Sequence, residues 1–291
     1  MTKPILQYAK TCCLLPVFIF GSIQLTAQEQ PAAKDEPEQS YAQVSLNYIT
    51  DFVYLGRKDS LRTPYLTPEL GYYHKTGFFA TASLSYLFRA DSSRVDMYTL
   101  ALGFDRNFTK KINAGAWLEK YFYNSSSTNI RAEIKASTGI YGSYDFGPLE
   151  TGLNAWYSFA EENDAALGLF FKHGFQTKNE QWTITPQADL NAATQNFYTS
   201  YFQNRRLRPR RLPNGTLLPP PTVNLDDATR FRFLSAELST EIKFTRGKLE
   251  ASLKPQYIIA LNPAVIGIGN RKFTEELNNS FVLEIGVAYS F

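Results

Sequence analysis

Side chains that commonly carry catalysis are scarce in this sequence. Histidine occurs only at His74 and His173, and neither is followed two residues later by a serine. A serine hydrolase that works from a strand face needs an imidazole within hydrogen-bond reach of its nucleophile. Gly-x-Ser-x-Gly, phosphate-loop and paired-histidine metal motifs are also missing. We therefore predict a protein that is not an enzyme, with no catalytic, cofactor or metal residue, and both histidines as interfacial residues near strand ends.

Charged residues instead alternate with apolar ones along most of the chain. From Tyr41 onward the apolar period is two, which predicts β-strands. At the C-terminus, Phe281, Leu283, Ile285, Val287, Tyr289 and Phe291 share one face, and Glu284, Gly286, Ala288 and Ser290 share the other. Twelve segments show such a pattern: 41–54, 64–74, 78–88, 95–108, 112–123, 130–145, 149–159, 165–176, 181–193, 231–245, 248–261 and 280–291.

The polar faces of these segments decide between two architectures. A soluble sandwich also alternates, with its apolar face buried. Here the polar faces combine Gly, Ser, Asn and Thr with many charges, a composition suited to a water-filled lumen. The charged set predicted to line that lumen is Asp51, Glu69, Asp105, Glu119, Arg131, Glu133, Lys135, Glu150, Lys172, Asp189, Glu237, Glu241, Lys243, Glu250 and Lys254.

We therefore predict an all-β fold: a closed antiparallel up-and-down transmembrane β-barrel of about 12 strands, with 10 or 14 as alternatives. The connections support it, because those after even-numbered segments are short: 75–77, 109–111, 146–148, 177–180 and 246–247. The two longest connections, 194–230 and 262–279, follow odd-numbered segments. Short turns are typical of the periplasmic side, so both termini are expected in the periplasm.

The N-terminal residues predict export. Lys3 and Lys10 precede the apolar stretch 11–23, and Leu25-Thr26-Ala27 offers a cleavage site, so residues 1–27 are predicted to be a signal peptide. Residues 28–40 are polar and acidic and are expected to form a disordered periplasmic lead-in to the barrel at 41–291. Both cysteines lie in the leader, and without its two lysines the 30 basic residues fall to 28 against 27 acidic ones. Disulfides, thiolate chemistry and nucleic-acid binding are thereby disfavoured.

The ending FVLEIGVAYSF resembles the C-terminal strand of bacterial outer-membrane barrels. The resemblance implies a Gram-negative cell outer membrane, contact with its lipid and lipopolysaccharide, and an assembly signal at Tyr289 and Phe291 that the barrel-assembly machinery reads. A weaker likeness links residues 51–57 (DFVYLGR) and 77–80 (GFFA) to small putative-porin families, whose first hairpin looks similar. It implies a porin-like protein without indicating a substrate.

The expected function is a porin-like channel for small hydrophilic solutes. A structural or surface-interaction barrel without flux is the alternative, and an outer-membrane enzyme is a third. An arginine-rich loop bears on the choice, with Arg205, Arg206, Arg208, Arg210 and Arg211. These guanidiniums are expected either to fold into the mouth and attract anions, or to bind lipopolysaccharide phosphates, or simply to keep a solvated loop soluble.

Overall fold

The computed structural model describes residues 39–207, 210–211, 217–218 and 222–291, without the side chains of 210–211 and 217–218. The predicted signal peptide, most of the predicted lead-in and Arg208 lie outside the described residues. Within them, no helix has the length and apolar content needed to cross a membrane.

Twelve antiparallel strands close into a barrel, as predicted. They are β1 (Tyr41–Ile49), β2 (Tyr65–Tyr73), β3 (Phe78–Leu87), β4 (Arg94–Asn107), β5 (Ile112–Tyr123), β6 (Ala136–Asp145), β7 (Glu150–Phe159), β8 (Asp164–Lys172), β10 (Trp182–Ala193), β14 (Arg232–Arg246), β15 (Leu249–Ala260) and β18 (Ser280–Ser290). Each strand pairs with its successor, and β18 also pairs with β1 through Gln43↔Ser290 to Ile49↔Glu284.

Smaller elements belong to the connections. They are β9 (Phe175–Gln176), β11 (Arg210–Arg211), β12 (Leu217–Leu218), β13 (Val223–Asp226), β16 (Val265–Ile268), β17 (Arg271–Thr274), the helix α1 (Asn196–Tyr201) and a π-helical segment at Phe202–Arg206. At the loop end of the barrel we number the connections L1 (50–64), L2 (88–93), L3 (124–135), L4 (160–163), L5 (194–231) and L6 (261–279). The opposite end, which carries the short connections, is the turn end.

The outer face of the barrel is apolar. Large side chains at alternate positions stand exposed, including Leu70 (59%), Ile140 (64%) and Phe281 (67%). Such residues recur on strand after strand, whereas water-soluble monomers rarely expose large continuous apolar patches. The alternating pattern of the sequence therefore places apolar side chains outside the barrel and polar side chains inside it, as a barrel in lipid requires.

Two predicted strands are shorter than expected. β1 ends at Ile49, and within the remainder of the predicted segment and just after it the chain turns: Leu55 and Gly56 have φ of +51° and +75°, and Tyr54 and Arg57 form mutual backbone hydrogen bonds. β6 starts only at Ala136, since residues 129–134 form turns in which Asn129 O accepts from Ala132 N and Arg131 O from Ile134 N. The placement of Asp51, Arg131, Glu133 and Lys135 on strands was therefore wrong, and all four are loop residues.

A bulge corrects a further expectation. The register between β10 and β14 shifts between Asn191 and Ala192, so that Phe233 pairs with Ala192. Leu234, which by strict alternation would share the lipid face with Leu238, is instead fully buried at the loop end. An extra residue in one strand reverses the facing of the residues beyond it.

Candidate functional site: lumen, cavity and loop cap

The inner wall carries the remaining predicted charges. The residues at inward strand positions are Glu69, Asp105, Glu119, Glu150, Lys172, Asp189, Glu237, Glu241, Lys243, Glu250 and Lys254. Some pair across neighbouring strands: Lys172 Nζ lies 3.2 Å from Glu150 Oε1, and Lys243 Nζ lies 3.1 Å from Glu250 Oε1. The wall is therefore hydrophilic and of mixed charge, with its lysines next to acids.

A cavity of about 860 Å³ occupies the turn end of this lumen. Its wall includes Tyr41, Tyr73, Asp105, Tyr141 and Lys172, and turn residues such as Lys110 and Lys111 also contribute to its lining. Asn113 Nδ2 donates to Asp105 Oδ1 at 2.7 Å within the same wall. The turn end thus has space for a polar solute.

The loop end has a different character, because L1, L3 and L5 meet across it. These loops leave the barrel at points four strands apart in the ring, so contacts among them must cross the mouth. Tyr201 of L5 donates to Asp59 Oδ1 of L1 at 2.8 Å. Arg205 of L5 forms an ion pair with Glu133 of L3. L3 and L1 meet where the Arg131 guanidinium lies 5.0 Å from the centre of the Tyr54 ring.

An apolar core fills the space between these links. It contains Leu55 of L1, Ile130 and Ile134 of L3, Phe197, Tyr198, Tyr201, Phe202, Val223 and Leu225 of L5, and Ala264 and Ile266 of L6, packed on strand residues such as Tyr121 and Leu234. The short sheet β13–β16–β17 joins L5 to L6. We call this assembly the cap.

The L1 turn is the innermost part of the cap. The Tyr54 hydroxyl accepts a hydrogen bond from Trp156 Nε1 at 3.2 Å, and Trp156 projects inward from β7. A Cβ added at Gly56 would lie 2.9 Å from Leu234 O and 3.1 Å from Ala260 Cα. The turn therefore lies against the walls formed by β7, β14 and β15.

Arg57 holds this turn in place. Its Nη1 donates to Leu234 O and Leu261 O, both at 3.0 Å, and its Nη2 donates to Asn262 O at 2.7 Å. Nη2 also lies 3.5 Å from Glu275 Oε2 of L6. Burial lowers the pKa of Arg57 and the Glu275 carboxylate opposes that shift. One buried cation thus ties L1 to L6 and β14.

Arg131, predicted in the lumen wall, stands in the cap above the lumen. Its guanidinium lies 4.5 Å from the ring centre of Tyr121 and 6.0 Å from that of Phe52, in addition to Tyr54. Burial acts to lower the pKa of Arg131, but the surrounding phenols and Glu119 outweigh it, and the net shift is upward. The permanent positive charge lies on an aromatic surface.

The predicted mouth arginines lie in different environments. Arg205 also donates from Nη1 to Ser125 O at 3.0 Å, so it fastens L5 to L3. Arg206 lies 5.2 Å from the Phe202 ring centre. Arg210 and Arg211 form β11, paired with β12, but their side chains are outside the description.

The predicted assembly residues lie at the lipid-facing edge of the turn end. Tyr289 and Phe291 are exposed, with ring centres 5.1 Å apart. His74 and His173 come directly after β2 and β8. Within the described parts of the chain, no cluster of three His, Cys, Asp or Glu residues could hold a metal ion.

The sequence interpretation missed Tyr54, Gly56, Arg57 and Glu275. It extended β1 to residue 54, so the turn at 54–57 went unrecognised. Gly56 carried one usable signal: a glycine directly after an alternating segment often marks a turn.

The architecture is a closed antiparallel barrel of twelve strands with an apolar outer face. No protein-family profile and no curated protein matches the sequence. Solved structures are similar in fold. The KdgM porin has a TM-score of 0.47 at 8% identity, covering 86% of this chain and 99% of that one. The NanC porin also has 0.47 at 8%, covering 85% and 98%. LpxR from Salmonella typhimurium has 0.46 at 10%, covering 85% and 99%. These similarities concern general architecture.

Proposed function

We propose that the protein spans the outer membrane of a Gram-negative bacterium and passes small hydrophilic solutes when its cap opens. The termini face the periplasm and the loops face the exterior. The observation that carries the proposal is a polar, mixed-charge lumen that has a cavity at one end and a cap at the other. Outer-membrane lipid, lipopolysaccharide and the barrel-assembly machinery are the further partners we expect.

The cap acts as the gate in this proposal. It is held by contacts that can be broken one loop at a time: Tyr201 to Asp59, Arg205 to Glu133, and Arg57 to Glu275. A loop made of such contacts can leave the mouth while the barrel strands keep their hydrogen bonds. Gating by loop displacement of this kind occurs on microsecond to millisecond timescales.

Planar-bilayer recording tests the channel. We expect the unaltered protein to conduct in brief, infrequent steps, and Arg57→Met to raise the open fraction several-fold, because it removes the cation that joins L1 to L6. Arg246→Met is the matched control, since Arg246 is an exposed arginine at the turn end of β14. Folded protein that shows no stepwise conductance in either variant at any voltage would reject the channel.

A non-conducting surface barrel is the second candidate. The packed core of the cap, with fully buried Phe197 and Ile266, favours it, because such a core can form a stable external surface. In that case Arg57→Met lowers stability without producing current. The prediction that the protein is not an enzyme has its own test: lipid or ester hydrolysis by pure protein would contradict it.

A further inference from the structure

We propose that one row of aromatic side chains inside the barrel is a binding track for neutral, linear oligosaccharides. The proposal rests on the channel function above and names the class of solute. The track consists of Tyr41, Tyr73, Phe79, Trp117 and Trp156. They belong to a single register row, with Gly103 between Phe79 and Trp117 and Gly139 between Trp117 and Trp156.

The row climbs through the lumen. Tyr41 is the first residue of β1 at the turn end, whereas Trp156 lies near the loop end of β7, which finishes at Phe159. Neighbouring strands are about 4.8 Å apart, so the row from β1 to β7 is roughly 29 Å long. Tyr41, Tyr73 and Phe79 line the turn-end cavity, and Trp156 contacts Tyr54 of the cap. The track therefore connects the cavity to the gate.

The rings lie against the wall. A Cβ at Gly103 would come within 2.3 Å of the Phe79 ring, and one at Gly139 within 2.8 Å of the Trp117 ring. Because each glycine has no side chain, the neighbouring ring can lie directly over it. Tyr41 and Tyr73 stack on each other at 4.9 Å between centres and 14° between planes, so this pair forms one aromatic unit at the start of the row. The rings of Phe79 and Trp117, which lie over glycines, offer flat faces to the lumen, and a sugar ring presents a matching apolar C–H face.

Hydrogen-bonding side chains border the track on both sides. The next inward positions toward the loop end include Gln43, Thr81 and Glu119, and those toward the turn end include Asp105, Tyr141 and Asn154. The Oδ1 of Asn154 is buried and has no hydrogen-bond partner. An apolar surface with a few polar groups beside it is the usual composition of a ligand site, and sugars have hydroxyls for those groups.

Charge placement selects neutral sugars. The carboxylates of Glu69, Glu119 and Asp105 lie on β2, β5 and β4, the strands that carry the track. The inward lysines Lys172, Lys243 and Lys254 lie on β8, β14 and β15, which contribute no ring to the track, and Lys172 is paired with Glu150. The other cations that line the turn-end cavity, Lys75, Arg106, Lys110 and Lys111, lie in turns or at a strand end, outside the register row of the rings. Carboxylates beside the stacking surface repel an anionic sugar, because like charges in a confined lumen interact strongly.

Tryptophan fluorescence of the detergent-solubilised full protein tests the track. The chain has three tryptophans, Trp117 and Trp156 on the track and Trp182 on the outer face. We expect maltohexaose to change the emission saturably, and an oligouronate of the same length to bind at least tenfold more weakly. Phe79→Leu and Tyr73→Leu keep all three reporters and should each weaken maltohexaose binding severalfold. Trp182→Leu should leave the affinity unchanged.

Heat-modifiable gel mobility shows which variants are folded. Affinities are compared for folded protein only, and two track variants are made so that the loss of one to misfolding still leaves a test. No saturable change, equal affinity in Phe79→Leu and Trp182→Leu, or equal binding of the oligouronate would overturn the proposal. The fluorescence assay needs no current. Sugar binding without conductance would therefore support the binding track and reject the channel function. Conductance without sugar binding would support the channel function and reject the binding track.

Discussion

Trp156 Nε1 donates to the Tyr54 hydroxyl at 3.2 Å, and this bond joins two opposite sides of the barrel. Tyr54 enters from L1, between β1 and β2, whereas Trp156 projects from β7, five strands beyond β2 in the ring. L1 therefore crosses the lumen and does not merely cover its rim. Any movement that opens the loop end has to break this contact or carry Tyr54 with it.

Gly56 lets the L1 turn pack closely against the strand wall. Gly56→Ala should loosen L1, because a side chain at φ +75° costs roughly 1–2 kcal/mol and its Cβ would also press on Leu234 O at 2.9 Å. Gly247→Ala is the matched control, since Gly247 has φ +60° and nothing within 4 Å of its Cβ. We expect faster chymotrypsin cleavage in L1 and a higher open fraction for the Gly56 variant alone. Equal behaviour of the two variants would contradict the close packing of the turn.

Arg205 is expected to act on the cap as a structural link. Arg205→Gln removes the ion pair with Glu133 and the bonds to L3 carbonyls, at a cost of about 1–3 kcal/mol for partly buried charged hydrogen bonds. Current through the bilayer should then show longer openings. Arg206→Gln, which loses the contact with the Phe202 ring and keeps the ion pair of L5 with L3, serves as the comparison. A change in ion selectivity without longer openings would instead support the anion-attracting interpretation of the arginine loop.

The strand count, closure and facing could be predicted from the sequence because each rests on local periodicity. The alternation from Phe281 to Phe291 specifies two faces, and the short connections at even positions place the turns together at one end of the barrel. Many of the predicted lumen residues, such as Asp189 and Glu237, consequently occupy inward positions.

The cap could not be predicted, because its contacts join residues far apart in the chain. Arg57 bonds Leu234 and Leu261, which lie 177 and 204 residues away. Nothing in the local pattern around Arg57 indicates these partners. The bulge at Leu234 could not be predicted from the alternation either. The extra residue is recognised only when the pairing with the neighbouring strand is known. The aromatic track has the same origin: its members are neighbours only through strand register.

Lumen carboxylates should set the ion selectivity of the open channel. Glu69 and Glu119 occupy inward positions on β2 and β5. Replacing both with Gln removes two negative charges. Under a salt gradient, the reversal potential should then move toward the equilibrium potential of the anion. The double variant Glu150→Gln with Lys172→Gln removes a pair 3.2 Å apart and no net charge, so it should leave the reversal potential near that of the starting protein. These measurements are best made with Arg57→Met as the background, where openings are frequent. A shift of equal size in both double variants would contradict a local electrostatic filter.

Phe291 should matter for assembly more than for the stability of the finished barrel. Its ring is 64% exposed, and within the described structure its backbone N–H donates to Ala42 O at 2.8 Å. Phe291→Ala keeps that backbone bond, so barrels refolded in detergent should melt close to the unaltered protein. In cells, by contrast, loss of the terminal aromatic residue should lower the amount of heat-modifiable protein in the outer membrane severalfold. Phe281→Ala, at the loop end of the same strand and similarly exposed, is the control for the loss of a lipid-facing ring. Equal cellular yields for the two variants would show that Phe291 contributes only as one more apolar contact with lipid.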